Sequence, residues 1–278
     1  WTDHANHPQQ VADGFLNASS YVETAEQLIQ LVGLVTHVMG EHLGMWTEGQ
    51  ALLEGFQANT SFAAAAGAQN AIQRSLAVMK IGRSESPDME SFSLSDKIRV
   101  FAVTASALSG RDVDRAQECL LKALDLARHG LDGQDPASRV LAVTGNNLAC
   151  ALEEKKSRTL AETEFMILSA RTAREYWEIA GGWLEVSRAE YRLAMSYLEA
   201  ADTAEALKHA QTCLEMCGEN MAGDLDRFFA FEVLAKVERF RRNDLGFKTA
   251  RDSAIQYFEK LGEDDKQWCE SALKKLTV

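Results

Sequence analysis

Proline is nearly missing from this chain: Pro8, Pro87 and Pro136 are the three examples in 278 residues. A proline inside a helix costs about 3 kcal/mol, so this scarcity removes the main obstacle to helix along almost the whole length. No apolar run reaches the roughly 18 residues of a membrane-spanning helix, and no membrane partner is expected. The five cysteines, Cys119, Cys150, Cys213, Cys217 and Cys269, form no CxxC pair and none of the spacings of a small disulfide-stapled domain. Cys119, Cys150 and Cys213 fall within helical apolar patterns, which predicts reduced core thiols and a cytoplasmic setting. Positive charge is also short: the formal net charge is −12 and the pI near 5.0. Nucleic acid and anionic membrane would repel such a chain, so neither is expected as its partner. Residues 1–80 are the extreme case, with seven acids against Arg74 and Lys80 alone. Catalytic signatures are missing too. There is no Gly-x-Ser-x-Gly, no Gly-rich phosphate loop and no P-loop lysine-serine pair. The expectation is a non-enzyme with no catalytic residue, no cofactor and no metal.

What the chain does have is helical periodicity. From Tyr21 to about Val38 the apolar residues Val22, Ala25, Leu28, Ile29, Val32 and Val35 recur at helical spacing. The alanine-rich stretch from Phe62 to Ile81 predicts a buried helix, with Ala63 to Ala66 packed closely. Residues 1–17, polar and carrying two histidines, predict a loosely docked end. The polar, breaker-containing stretch from Gly82 to Ser91 predicts a loop. The division expected is an N-terminal helical module over 1–82, a linker over 83–96, and a main array over 97–278. The array closes with a helix from Asp265 to Leu276, its apolar face made of Trp268, Ala272 and Leu276. Thr159 to Glu162 fits a capping box, and Gly181-Gly182 predicts a helix end with a positive-φ glycine.

One phrase recurs in the array. It reads Leu193-Ala194-x-x-Tyr197, then Ala201-Asp202, then Ala206-Leu207-x-x-Ala210-x-x-Cys213-Leu214. Leu148, Ala149, Ala170 and Ala173 repeat it with a longer interval. Val103, Ala116, Leu120 and Ala123 repeat it loosely, and Leu234, Ala235, Ala250, Ala254 and Tyr257 repeat it with extra residues. Two helices and a tight turn, with small residues where they meet, cannot bury an apolar face alone, so copies must stack. These residues resemble the tetratricopeptide repeat over about 97–262, and weakly over 28–60. The 38–44-residue spacing is similar to the long-helix branch of kinesin light chains and bacterial regulators. The resemblance implies an all-α fold, a right-handed α-solenoid of antiparallel helical hairpins. It also implies a scaffold or adaptor holding a protein or peptide in a concave groove. The alternatives are a ligand- or peptide-sensing part of a bacterial signalling system and, more remotely, a metal-dependent enzyme on a helical scaffold.

First helices line the groove of such an array, which places Asn146, Asn147, Arg188, Tyr191, Arg192, Glu232, Lys236 and Arg239 on or beside it. Asn146-Asn147-Leu148-Ala149 resembles the Asn-Asn-Leu-Ala phrase of kinesin-light-chain-like repeats. An amide offers both a donor and an acceptor, as an extended peptide backbone requires. Arg188, Arg192, Lys236 and Arg239 suit a partner with acidic groups; the competing reading is surface charge paired with Glu185, Glu190, Glu232 and Glu238. Carboxylates in runs such as Glu153-Glu154 are read as solvated turn residues. His37, Glu41 and His42, with His4 and His7, raise a metal question. Glu41 shares a helix face with His37 at i,i+4, but the i,i+5 spacing of His37 and His42 splits these two across faces of an α-helix, so no metal site is expected. Cys213-x-x-x-Cys217 puts two thiols on one face without a nearby histidine.

Overall fold

The structure, a computed structural model, describes residue 4, residues 6–132 and residues 134–277. Among these residues every regular element is helical. In chain order they are α1 (Pro8–Gly14), a 3-10 turn (Phe15–Tyr21), α2 (Ala25–Val35) running into a π turn (Thr36–His42), α3 (Trp46–Asn59), a second 3-10 turn (Ser61–Ala64) and α4 (Ala66–Gly82). Then come α5 (Leu94–Leu108), α6 (Val113–Arg128), α7 (Pro136–Glu153), α8 (Leu160–Ala180), α9 (Trp183–Glu199), α10 (Thr203–Glu219), α11 (Asp224–Phe240), α12 (Asp244–Glu259) and α13 (Glu263–Thr277). No helix of the described residues is long and apolar enough to cross a membrane.

Two compact units divide the chain within α7, one in residues 1–140 and one in residues 141–278. The stretch expected as a linker, 83–96, lies inside the first unit. There Met89 and Phe92 pack on Ala77, Val78 and Val100, joining α4 to α5. Arg74 of α4 also bonds Asp96 of α5 at 2.5 Å. The first unit's core gathers Leu28, Val32, Val35, Leu53, Phe56, Ile72 and Met79. Each fully buried side chain of this size contributes about 1.5–3 kcal/mol of transfer free energy.

In the second unit helices pack on their neighbours in order: α8 on α9, α9 on α10, α10 on α11, α11 on α12 and α12 on α13. The interfaces are built from small residues. Ala149, Ala170, Ala194, Ala206 and Ala210 are fully buried in one cluster with Leu193, Tyr197, Val233 and Val237. The tightest approach is at Gly145, where a Cβ would stand 2.6 Å from the Ser169 carbonyl oxygen and 2.7 Å from the Ala173 amide. Only glycine lets α7 and α8 come that close.

Caps start the helices where the sequence signals them. Thr159 and Glu162 form the expected capping box at α8, and Asp202 accepts from the Glu205 amide at α10. The end of α8 differs from expectation. Gly181 and Gly182 are both extended, not left-handed. Glu185 reaches back to the Gly182 amide at 2.9 Å, so this glycine serves as the N-cap of α9. In the second unit the left-handed positions fall instead on Ala201, Met221 and Arg242. Each is followed by an amide that bonds back five residues, Asp202 to Tyr197, Ala222 to Cys217 and Asn243 to Glu238, the Schellman pattern of a helix stop. The alanine run also differs: Ala63 is buried, but Ala64 to Ala66 are exposed, because the extended Ala65 breaks the chain before α4. The polar N-terminal segment contributes α1 and the first 3-10 turn; residues 1–3 and 5 lie outside the described residues.

A carboxylate inside the second unit ties three helices together. Glu190 of α9, 6% exposed, accepts from Arg174 Nε of α8 at 2.5 Å and from His209 Nδ1 of α10 at 2.6 Å. Burial opposes its ionisation, but the bonds from His209 and Arg174 outweigh it and hold Glu190 below the usual carboxylate range.

Two outcomes follow. Ala206→Leu or Ala210→Phe overpacks an interface with no free space and should destabilise the protein by about 1–3 kcal/mol in urea denaturation followed by circular dichroism. Ionised Glu190 favours the fold above the unfolded carboxylate's value of about 4.3, and that contribution is lost as pH falls through the lower folded value. Glu190→Gln should therefore cost about 1–3 kcal/mol near pH 7, with the gap to the parent protein narrowing below about pH 4.

Candidate functional site

A cleft of 460 Å³ opens in the second unit. Its lining comes from five helices: Asn146 of α7; Ser187, Arg188, Tyr191 and Arg192 of α9; Cys213 of α10; Leu225, Asp226 and Phe229 of α11; and Trp268 of α13. Helical spacing explains the set, since 188, 191 and 192 share one face of α9, as do 225, 226 and 229 on α11. Trp268 is 66% exposed and meets Phe229 edge-on, with ring centroids 5.2 Å apart. Phe229 in turn meets Tyr191 at 5.8 Å. This aromatic row is the apolar wall. Of the apolar face expected on the last helix, Leu276 is buried as expected and Cys269 joins it, but Trp268 is not buried.

The polar groups of the cleft are held by ion pairs and hydrogen bonds. Arg188, the most exposed cation of the cleft, bonds Asp226 at 2.9 Å. Arg192 donates to Asn146 Oδ1 at 3.4 Å and to Glu153, and stands over the Tyr191 ring at 5.8 Å. Glu153 was read as a solvated turn residue. Instead its side chain, at the end of α7, is only 8% exposed, with Ser196 donating to its other oxygen at 2.6 Å. Burial pushes its carboxyl upward despite the facing Arg192. Beneath the cleft, the fully buried Glu232 accepts from the Tyr191 hydroxyl at 3.2 Å and is paired with Lys236. Burial, reinforced by Glu232, holds the Tyr191 hydroxyl well above its ordinary pKa, so it acts as a donor.

Of the eight groove residues expected from the sequence, Asn146, Arg188, Tyr191 and Arg192 line this cleft. Asn147 is exposed beside Asn146. Glu232 and Lys236 form the pair beneath. Arg239 is engaged differently. It donates to the Lys275 and Leu276 carbonyls at 2.8 and 2.7 Å, capping α13, and lies over the Phe247 ring at 4.4 Å. Lys236 takes Glu232, one of the ion-pair partners read in the sequence, whereas Arg188 and Arg192 take Asp226 and Glu153 instead. Sequence reasoning missed Ser187, Cys213, Leu225, Asp226, Phe229 and Trp268 as lining residues. Leu225 and Phe229 precede the expected position Glu232 by seven and three residues, same-face spacings on α11 that were the available signal, whereas nothing local marked Trp268.

The paired thiols Cys213 and Cys217 both approach the Ser187 hydroxyl, at 3.6 and 3.5 Å, and are buried. In the first unit a cavity of 230 Å³ is bordered by Val32, His37, Glu41, Arg74, Val100 and Val103 among others. Three histidines also converge in that unit. His37 Nε2 and His42 Nε2 are 3.0 Å apart, and His4 completes a group whose ring nitrogens lie within 4.8 Å of one another. The expected splitting of His37 from His42 does not occur. Residues 36–42 form a π turn, and an i→i+5 turn brings residue 42 under residue 37. No known protein family, curated protein or solved structure matches the chain.

The two cations expected to act alike should separate on substitution. Lys236→Ala strips the counter-charge from the fully buried Glu232 and should destabilise the protein by about 2–4 kcal/mol. Arg188→Ala, at an exposed pair, should change stability by no more than about 0.5 kcal/mol. Thermal denaturation of the two variants side by side checks this.

Proposed function

We propose that the second unit is a protein- or peptide-binding module, a non-enzymatic scaffold or adaptor domain. In this reading its helices form a right-handed, tetratricopeptide-like solenoid of antiparallel hairpins. The cleft between α7, α9, α11 and α13 receives an extended segment carrying an apolar side chain and an adjacent acidic group. What carries the reading is the exposed Trp268 standing against Phe229, which in turn meets Tyr191, with Arg188 in the same cleft. A large aromatic kept at a cleft mouth is the type of residue that dominates binding energy at interfaces. Further support comes from the chemistry of the polar side. Arg188 is exposed enough to exchange Asp226 for a partner carboxylate, and Asn146 supplies amide groups of both polarities. An ion pair with Glu153 fixes Arg192 and a hydrogen bond to Glu232 fixes Tyr191, so little side-chain freedom is lost when a ligand arrives.

Selection from a displayed random-peptide library, followed by fluorescence anisotropy on the enriched peptides, tests the reading. The expected enrichment is an aromatic or aliphatic residue near Asp or Glu. Trp268→Ala and Arg188→Glu should each weaken binding about tenfold or more, equivalent to about 1.4 kcal/mol, with the melting temperature nearly unchanged. Rising salt should weaken the interaction, because an exposed ion pair is screened over about 8–10 Å. Peptides that bind both variants as tightly as the parent protein would place the binding surface elsewhere.

A further inference from the structure

The N-terminal unit brings three imidazoles together from distant parts of the sequence. Ring centroids are 4.6 Å apart for His37 and His42, 4.9 Å for His4 and His37, and 5.5 Å for His4 and His42. All three side chains are partly exposed, so an ion can reach them. We propose that His4, His37 and His42 bind a divalent late transition-metal ion, zinc in the first instance, with Glu41 as the outer carboxylate that orients His37.

The donor geometry carries most of the argument. Zinc binds imidazole nitrogen at about 2.0–2.1 Å in a tetrahedral arrangement, which sets ligand nitrogens about 3.3 Å apart. His37 Nε2 and His42 Nε2 already stand 3.0 Å apart, and the third ring nitrogen lies within 4.8 Å. Small side-chain rotations close the remaining difference. The donor type selects the metal: three neutral imidazoles suit zinc, copper or nickel, whereas magnesium and calcium require oxygen ligands.

A second group of contacts prepares His37 for this role. Glu41 Oε2 lies 3.0 Å from His37 Nδ1, and Ser106 Oγ donates to the same oxygen at 3.3 Å. A carboxylate accepting from Nδ1–H leaves the lone pair on Nε2, the nitrogen that faces His42. Carboxylate, imidazole and ion in this order are a recurring feature of zinc sites, where the carboxylate fixes both tautomer and ring orientation.

The backbone holds the ligands in register. Within the π turn the Leu43 amide bonds the Val38 carbonyl at 3.0 Å, five residues back. Such turns are rare and gather at functional sites. Arg111, from the turn between α5 and α6, donates to the Glu41 carbonyl and, at 2.7 Å, to the His42 carbonyl. Gly44 then leaves the turn at a φ of +66°, with the Arg111 guanidinium against its α-carbon. A bound ion would tie His4, which precedes α1, to this braced turn.

Full-length untagged protein, stripped with a chelator, should be titrated with Zn²⁺ in competition with a chromophoric chelator. One ion per chain at micromolar affinity or tighter is expected. His4→Ala, His37→Ala and His42→Ala should each weaken binding at least about tenfold, and Glu41→Gln by about 10–100-fold. His129→Ala, at the end of α6, should leave it unchanged. Co²⁺ in place of zinc should give the intense visible absorption of a tetrahedral site, lost in the His42 variant. Circular dichroism establishes that each variant is folded. His4 lies outside the helices, so its variant remains informative even if His37→Ala unfolds. Substoichiometric binding by the parent protein, or affinity unchanged in both the His4 and His42 variants, would overturn the proposal.

Discussion

Close approach of helices through alanine and glycine is the constraint on which the second unit rests. Gly145 admits the backbone of α8, and fully buried alanines on α7 to α10 let adjacent helices come together with almost no side chain between them. Helices this close leave little apolar area per contact, so the larger residues Leu193, Tyr197, Val233 and Val237 fill the spaces between the small ones. The same closeness places residues of α7, α9, α11 and α13 around a single cleft. The packing code and the cleft are thus two faces of the same helices.

Buried charge is the second organising element. An acidic chain with few cations spends several of them on internal carboxylates: Arg174 on Glu190, Arg192 on Glu153 and Lys236 on Glu232. The first two pairs join different helices and the third lies within α11, and each would be costly to break because a lone charge would be left behind. Arg188 remains as the cation open to solvent at the cleft, 60% exposed. The electrostatics of the cleft are therefore decided by which arginine is left on the surface, not by the total charge.

The first unit follows different rules. Its core is made of larger aliphatic residues, and α2 does not end in a cap but widens into the π turn. That widening changes which side chains share a face. Arg111 and Gly44 hold the altered backbone, and Glu41 and Ser106 hold the first of the imidazoles it presents.

Much of the helical architecture was legible from the sequence alone. Three prolines, 3.6-residue periodicity and local caps such as Thr159 with Glu162 and Asp202 with the Glu205 amide are short-range properties, and they determine where helices form and start. The small residues Ala149, Ala194, Ala206 and Ala210 marked the interfaces, because close packing tolerates nothing larger. Half of the expected groove residues came together for the same reason: helical spacing sets which positions share a face. What only the tertiary structure decided depends on neighbours far away in the chain. The Glu153 carboxylate is covered because Arg192 and Ser196, some forty residues on, receive it. Arg239 caps α13 because that helix ends beside it. Trp268 faces the cleft because Cys269 and Leu276 fill the core position. The i,i+5 rule for His37 and His42 presumes an α-helix, and residues 36–42 depart from it into a π turn braced by Arg111. Periodicity assigns a residue to a face of its helix, but the packed neighbours determine what that face meets and whether the helix keeps its period.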